Sequence, residues 1–161
     1  MRRSVINTEN KAIIDEACLQ ELSASQMYRN LSIQCLGLSL FGASKFFDNE
    51  AQSELDHFKI HVEYLNKRGT NAKVPTVTEQ TKEITSLEQA LMIAYKAEYQ
   101  LGELYNKWYK QADVATAIHL QKFVEIQTDA IGEYSDWLAR IDLVKNDECG
   151  ILIIDKELGE A

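Results

Sequence analysis

Proline is nearly absent from this chain: 161 residues contain one, Pro75. A proline inside a helix removes a hydrogen bond and clashes with the preceding turn, so its scarcity leaves room for long uninterrupted helices. Glycine is scarce too, with seven residues, and Gly37 and Gly69 fall where helical patterns stop. The three cysteines, Cys18, Cys35 and Cys149, lie far apart without a C-x-x-C. That spacing disfavours a disulfide framework or a zinc knuckle and suits free thiols in a reducing compartment. Basic residues are in deficit, and the net charge of -8 is the wrong sign for a nucleic-acid surface. No stretch approaches the roughly 18 apolar residues of a membrane span. The opening MRRSVINTENKAIIDEACLQ starts basic but lacks the apolar run of a secretory signal. These absences predict a cytoplasmic protein that binds neither nucleic acid nor membrane.

A hydrophobic content of 45% with 26% charged residues is ordinary for a globular chain, and the length suits a single domain over residues 1–161. Apolar residues recur at helical spacing from Asn7 to about Leu36, through Ile13, Ala17, Leu22, Met27, Leu31 and Cys35. A second helical pattern runs from about Ser39 to Arg68 and ends on NKRG, a basic last turn followed by glycine. The polar segment TNAKVPTVTEQTKEIT has no stripe and is too long for a tight turn, so it reads as a crossover. Ser86-Leu87-Glu88-Gln89 is a capping box that opens a third helix to about Ala112. A fourth follows from about Asp113 to Val144, and after KNDECG comes a short apolar piece, ILIIDKEL. Each main helix has about 25 to 30 residues and is roughly 40 Å long. The pattern predicts an all-α four-helix bundle with a crossover between the second and third helices. No internal sequence repeat is apparent.

The second helix contains Glu54-Leu55-Asp56-His57. Residues three apart share a helix face, so Glu54 and His57 can point at one spot, as a surface ion pair or as metal ligands. Two ligands are too few for an iron-like cation, so the metal reading needs carboxylates from other helices at the same height. In antiparallel hairpins, residues equally far from the turn lie level. Counting from Gly37 and Leu38 sets Glu21 beside Glu54, and counting from Ala112 and Asp113 sets Glu98 beside Gln127. Glu21 and Glu98 both sit in apolar contexts, where an unpaired charge is costly. Carboxylates with one imidazole and no thiolate suit iron or manganese rather than structural zinc.

Over nearly its full length the chain resembles ferritin. ELSASQMY resembles the first-helix Glu followed seven residues later by Tyr, SELDHF the second-helix Glu-x-x-His, and AYKAE the third-helix Glu. IQTDAIGEYSDWL is similar to the fourth helix of heavy-chain ferritins, and GILIIDKELG to the short fifth helix. The resemblance implies a ferroxidase centre that takes two Fe ions per subunit. Glu21, Glu54 and His57 hold the first with Glu54 bridging, Glu98 holds the second, and Gln127 is a ligand or hydrogen-bonding group nearby. Tyr28 stands close to the centre to hydrogen-bond or relay an electron. The resemblance further implies oxidation of Fe(II) by O2 or H2O2 and storage of the ferric mineral in a homo-oligomeric cage of twenty-four subunits.

Departures from the family pattern refine these expectations. Gln127 and Ala130 stand where bacterioferritins carry a second Glu-x-x-His, and Leu55 stands where they place a haem-ligating methionine, so no haem is expected. Ile126 and Ala130 carry no ligand atoms for a third iron site, which leaves Asp129 as a remnant. Ala117 and Leu120 replace the acidic residues of the eukaryotic three-fold pore, so iron either enters another way or this pore uses Asp113 or His119. Glu50, one turn before Glu54, is either a last stop for entering iron or a solvated carboxylate, and Glu125 is a weaker choice for the same role. His61 reads as a packed or surface histidine that the family does not use, and His119 as structural with no visible partner. The rival reading is another di-iron or di-manganese oxidase or peroxide scavenger of rubrerythrin type, but such proteins use two Glu-x-x-His motifs.

Overall fold

The computed structural model describes residues 2–145 and 147–161. It holds five helices: α1 (Thr8–Gly37), α2 (Phe41–Lys67), α3 (Leu87–Gln111), α4 (Val114–Val144) and α5 (Glu148–Glu160). Four of them start on a side-chain cap. Asn7, Ser86, Asp113 and Asp147 accept from the backbone N–H three residues on, which satisfies a donor that has no partner within the helix. The capping box at Ser86 is modified. Gln89 reaches back to the backbone N–H of Thr85, at 2.9 Å, rather than to that of Ser86.

Two boundaries differ from the sequence pattern. The second helix begins at Phe41 rather than near Ser39, because Ser39 takes a left-handed backbone, φ 62°. The fifth begins at Glu148, ahead of its apolar run, because Asp147 caps it. In the linker KNDECG, Asn146 lies outside the described residues.

α1 pairs with α2 and α3 with α4, while α5 packs across α2 and α4. The crossover runs along α1. Near its start, Lys73 N–H donates to Asp15 of α1 at 3.0 Å, and near its end Asn30 donates to the carbonyl of Lys82 at 3.0 Å. The Ile84 N–H donates to Gln34 at 2.7 Å. From Lys73 to Ile84, eleven extended residues can span about 36 Å, and the nineteen helical residues from Asp15 to Gln34 rise about 28 Å, so the segment follows the helix with only a couple of residues to spare.

The buried apolar residues form two clusters. One contains Tyr28, Leu31, Phe47, Leu91, Tyr134 and Ile154 among others; the second contains Ile14, Leu65, Tyr105, Leu120 and Phe123. Fully burying a side chain such as Phe47 or Leu91 contributes about 2 kcal/mol. Between the clusters, each of the four long helices contributes one buried polar residue: Glu21, Glu54, Glu98 and Gln127. α1 and α4 run from the second cluster toward the first, and α2 and α3 run back. The four polar residues therefore form a single layer across the middle of the bundle.

Candidate metal centre

Within that layer, Glu21, Glu54 and His57 each place a ligand atom within 4.8 Å of the others. His57 Nδ1 is 3.1 Å from Glu54 Oε2 and 3.4 Å from Glu21 Oε2. Glu21 is fully buried, and its Oε2 has no hydrogen-bond partner among the described residues. A buried carboxylate oxygen left without a donor is costly. An oxygen-seeking cation at this point would satisfy it, so the donor set fits an iron-like ion.

Glu98 completes the other half of the layer. Tyr28 donates its hydroxyl to Oε1, and the Gln127 amide donates to Oε2 and, at 3.3 Å, to the Glu98 carbonyl. The leveling inferred from the two turns thus brings Glu21 to Glu54 and His57, and Glu98 to Gln127. Tyr28 lies beside Glu98, across the layer from Glu21 of its own helix.

Protonation in the layer follows from burial and from the closeness of its carboxylates. Burial, reinforced by Glu21, pushes the Glu54 carboxyl up to about 8. Burial and the Glu54 charge raise Glu98 to about 7. Burial opposes a charge on His57, but the carboxylates of Glu21 and Glu54 outweigh it and hold the imidazole at about 10. Glu50 is half-buried one turn from Glu54, and burial together with Glu54 raises it to about 7. It therefore stands next to the layer as an acidic step on α2. Glu125 is exposed and bonded to Gln121 at 3.2 Å, and Asp129 is exposed; neither is in the layer.

The structure adds partners to both histidines and places the residues considered for a pore. His61 is fully buried, with Nε2 2.8 Å from the Tyr105 hydroxyl and Nδ1 2.9 Å from His119 Nε2. It is thus packed, the first of the two readings, and it has polar partners that the sequence did not show. His119, structural as read but with no partner visible in the sequence, is turned inward to His61 and stacks on Tyr64 at 4.0 Å between ring centroids. Burial, with each other's proximity and nearby Lys122, lowers His119 to about 3, and burial together with His57 lowers His61 to about 3, so both imidazoles are neutral. Of the residues considered for a pore, Leu120 is buried in its own subunit's core, and Asp113 is spent capping α4.

Sequence reasoning missed Tyr105, which donates its hydroxyl to Glu21 Oε1. A signal was present. The spacing Glu-x6-Tyr of Glu21 and Tyr28 recurs at Glu98 and Tyr105, a short repeat that a search for longer similarity passes over. The two tyrosines donate crosswise, each to the glutamate of the opposite helix. The partner helices share a spacing as well: Glu54 is followed seven residues later by His61, and Gln127 by Tyr134. Tyr105 stacks beside His61 at 6.1 Å and Tyr28 beside Tyr134 at 6.3 Å. The layer has approximate two-fold symmetry.

A helical bundle with a crossover, carrying carboxylates and an imidazole in its interior, defines the ferritin-like class. The ferritin-like domain family matches residues 11–144, and the chain belongs to that family. It is 27% identical to a probable bacterial non-heme ferritin-like protein of Haemophilus influenzae, over 86% of this chain and 87% of the relative. It is also 27% identical to the bacterial non-heme ferritin of Escherichia coli, over 90% of each chain. The open pore ferritin of Archaeoglobus fulgidus superposes with a TM-score of 0.94 at 22% identity, covering 97% of this chain and 99% of that one; this likeness concerns the fold. Among the described residues no helix is long and apolar enough to cross a membrane.

Proposed function

We propose that this protein stores iron and oxidises Fe(II) at the layer described above. The observation that carries the reading is the buried trio of Glu21, Glu54 and His57, with one carboxylate oxygen that has no hydrogen-bond partner among the described residues. Two Fe(II) enter as substrate. Glu21 and His57 hold the first, Glu54 bridges, and Glu98 holds the second with Gln127 bonded to it. Each iron gives up one electron, and the pair passes with two protons from solvent to O2, which leaves as hydrogen peroxide, or to hydrogen peroxide, whose O–O bond breaks to leave two waters. Tyr28, bonded to Glu98, sits within reach to relay an electron, and Glu50 hands incoming iron to Glu54. Membership of the ferritin family and the non-heme ferritin relatives support storage as the outcome. The free thiols, with Cys149 exposed, agree with a reducing cytoplasm.

Glu54→Ala or His57→Ala is expected to abolish rapid Fe(II) oxidation while assembly remains intact. Stopped-flow oxidation with two Fe(II) per subunit tests this, and a fast phase unchanged in both variants would remove the centre proposed here.

A further inference from the structure

The two halves of the layer share spacing but not termination. On the Tyr28 side the chain of contacts stops: Tyr134 lies next to Tyr28, and its buried hydroxyl has no hydrogen-bond partner among the described residues. On the Tyr105 side it continues to His61 and His119. The proton positions along that side follow from donor counting. A carboxylate oxygen accepts, so the single Tyr105 proton goes to Glu21 Oε1. The Tyr105 oxygen must then accept from His61 Nε2–H. A neutral His61 keeps a lone pair on Nδ1, and that nitrogen accepts from His119 Nε2–H. Every donor in the chain points toward Glu21, and hydrogen bonds aligned in one direction polarise and strengthen one another.

We infer that Tyr105, braced by His61 and His119, is a positioning residue that occupies Glu21 Oε1 and leaves Oε2 as the only oxygen offered to the metal. This rests on the metal centre proposed above. Glu21 Oε2 is the oxygen that faces His57 at 3.4 Å and has no hydrogen-bond donor among the described residues. A Glu21 freed from Tyr105 can rotate and chelate one ion through both oxygens, which consumes a coordination position and loosens the fixed geometry. Hydrogen-bonding groups behind a ligand commonly tune metal affinity or activity ten- to hundredfold.

The test uses Co(II), titrated anaerobically into the assembled protein, with visible absorption reporting coordination number. Tyr105→Phe keeps the ring and removes only the hydroxyl. It is expected to weaken the first Co(II) step by about ten- to hundredfold and to change the absorption intensity of bound Co(II), with assembly and helicity unchanged. His119→Leu is expected to shift both readouts the same way by less, and His119→Gln, whose amide can replace the Nε2 donor, to restore them. Wild-type affinity and absorption in Tyr105→Phe would overturn the inference, as would equal losses in the two His119 variants. If the wild-type protein binds no Co(II), or binds it unchanged after Glu54→Ala, the metal centre itself falls and the positioning role with it. The two failures are therefore told apart by which protein departs from expectation.

Discussion

At the scale of single residues, the chemistry turns on how much charge the bundle interior holds without a cation. Glu54 and Glu98 are raised to about 8 and about 7 against an ordinary glutamate value near 4.3. A carboxyl raised on folding contributes stability that is complete below its unfolded pKa and is lost as pH rises through its folded pKa. His57, raised to about 10, loses its contribution in the same direction, from about 6.5 upward. His61 and His119, lowered to about 3, act oppositely, losing theirs as pH falls from about 6.5. Between pH 6.5 and 8.5 the layer dominates. The metal-free protein is therefore expected to be less stable at the higher pH, by on the order of 4 kcal/mol at about 1.4 kcal/mol per pKa unit. Urea unfolding in the presence of a chelator measures it. Added Co(II) should remove the difference, because the metal replaces the protons; a metal-free protein with flat stability over that range would contradict the assignment.

At the scale of elements, the unusual helix start is that of α2. Leu40 provides no side-chain cap, and the role passes to Asp155 of α5, which accepts from Gly42 N–H at 3.1 Å and Ala43 N–H at 2.7 Å. The approach is close enough that a Cβ on Gly42 would stand 1.7 Å from the Asp155 carbonyl oxygen. Lys45 adds a bond to the Gly159 carbonyl at 2.8 Å. The fifth helix is thus docked by capping another helix as well as by its apolar residues. Asp155→Ala is expected to cost about 1 kcal/mol, the usual loss of a cap. Gly42→Ala is expected to displace α5 altogether, because backbone rather than a flexible side chain blocks the added methyl. Hydrogen exchange should then rise throughout α5 while α1 to α4 keep their protection. Unchanged α5 protection in Gly42→Ala would show that the helix is held some other way.

At the scale of the whole molecule, the isolated subunit leaves large apolar side chains in water. Leu152 and Ile153 on α5 are 57% and 58% exposed, and Leu143 and Phe41 lie open at the same end. Exposed apolar surface of this kind marks contact with other chains, and a cage of twenty-four subunits, as the resemblance to ferritin implies, would cover it. Replacing Leu152 and Ile153 together with Asp is expected to stop assembly at species far smaller than a cage of 18.4 kDa chains, with helicity retained. Sedimentation velocity distinguishes the two states, and a full-sized cage in this variant would place the assembly contacts elsewhere.

The bundle was legible because hydrophobic period, caps and turn glycines all act locally. The run from Asn7 to Leu36, the capping serine at Ser86 and the long polar crossover each announce their element within a few residues. Leveling across the hairpins followed as well, since antiparallel helices of equal rise bring residues together by simple counting, and this set Glu21 beside Glu54 and Glu98 beside Gln127. The partners of those residues were another matter. Tyr105 reaches Glu21 from 84 positions away, and His61 meets His119 from 58, because α3 and α4 close over α1 and α2 at a rotation that no single helix encodes. The sequence by itself determined which side chains stand in the middle layer. Only the packing of the four helices decided which oxygen of Glu21 is bound to a tyrosine and which is left open, because hydrogen bonds are directional and depend on how the faces meet.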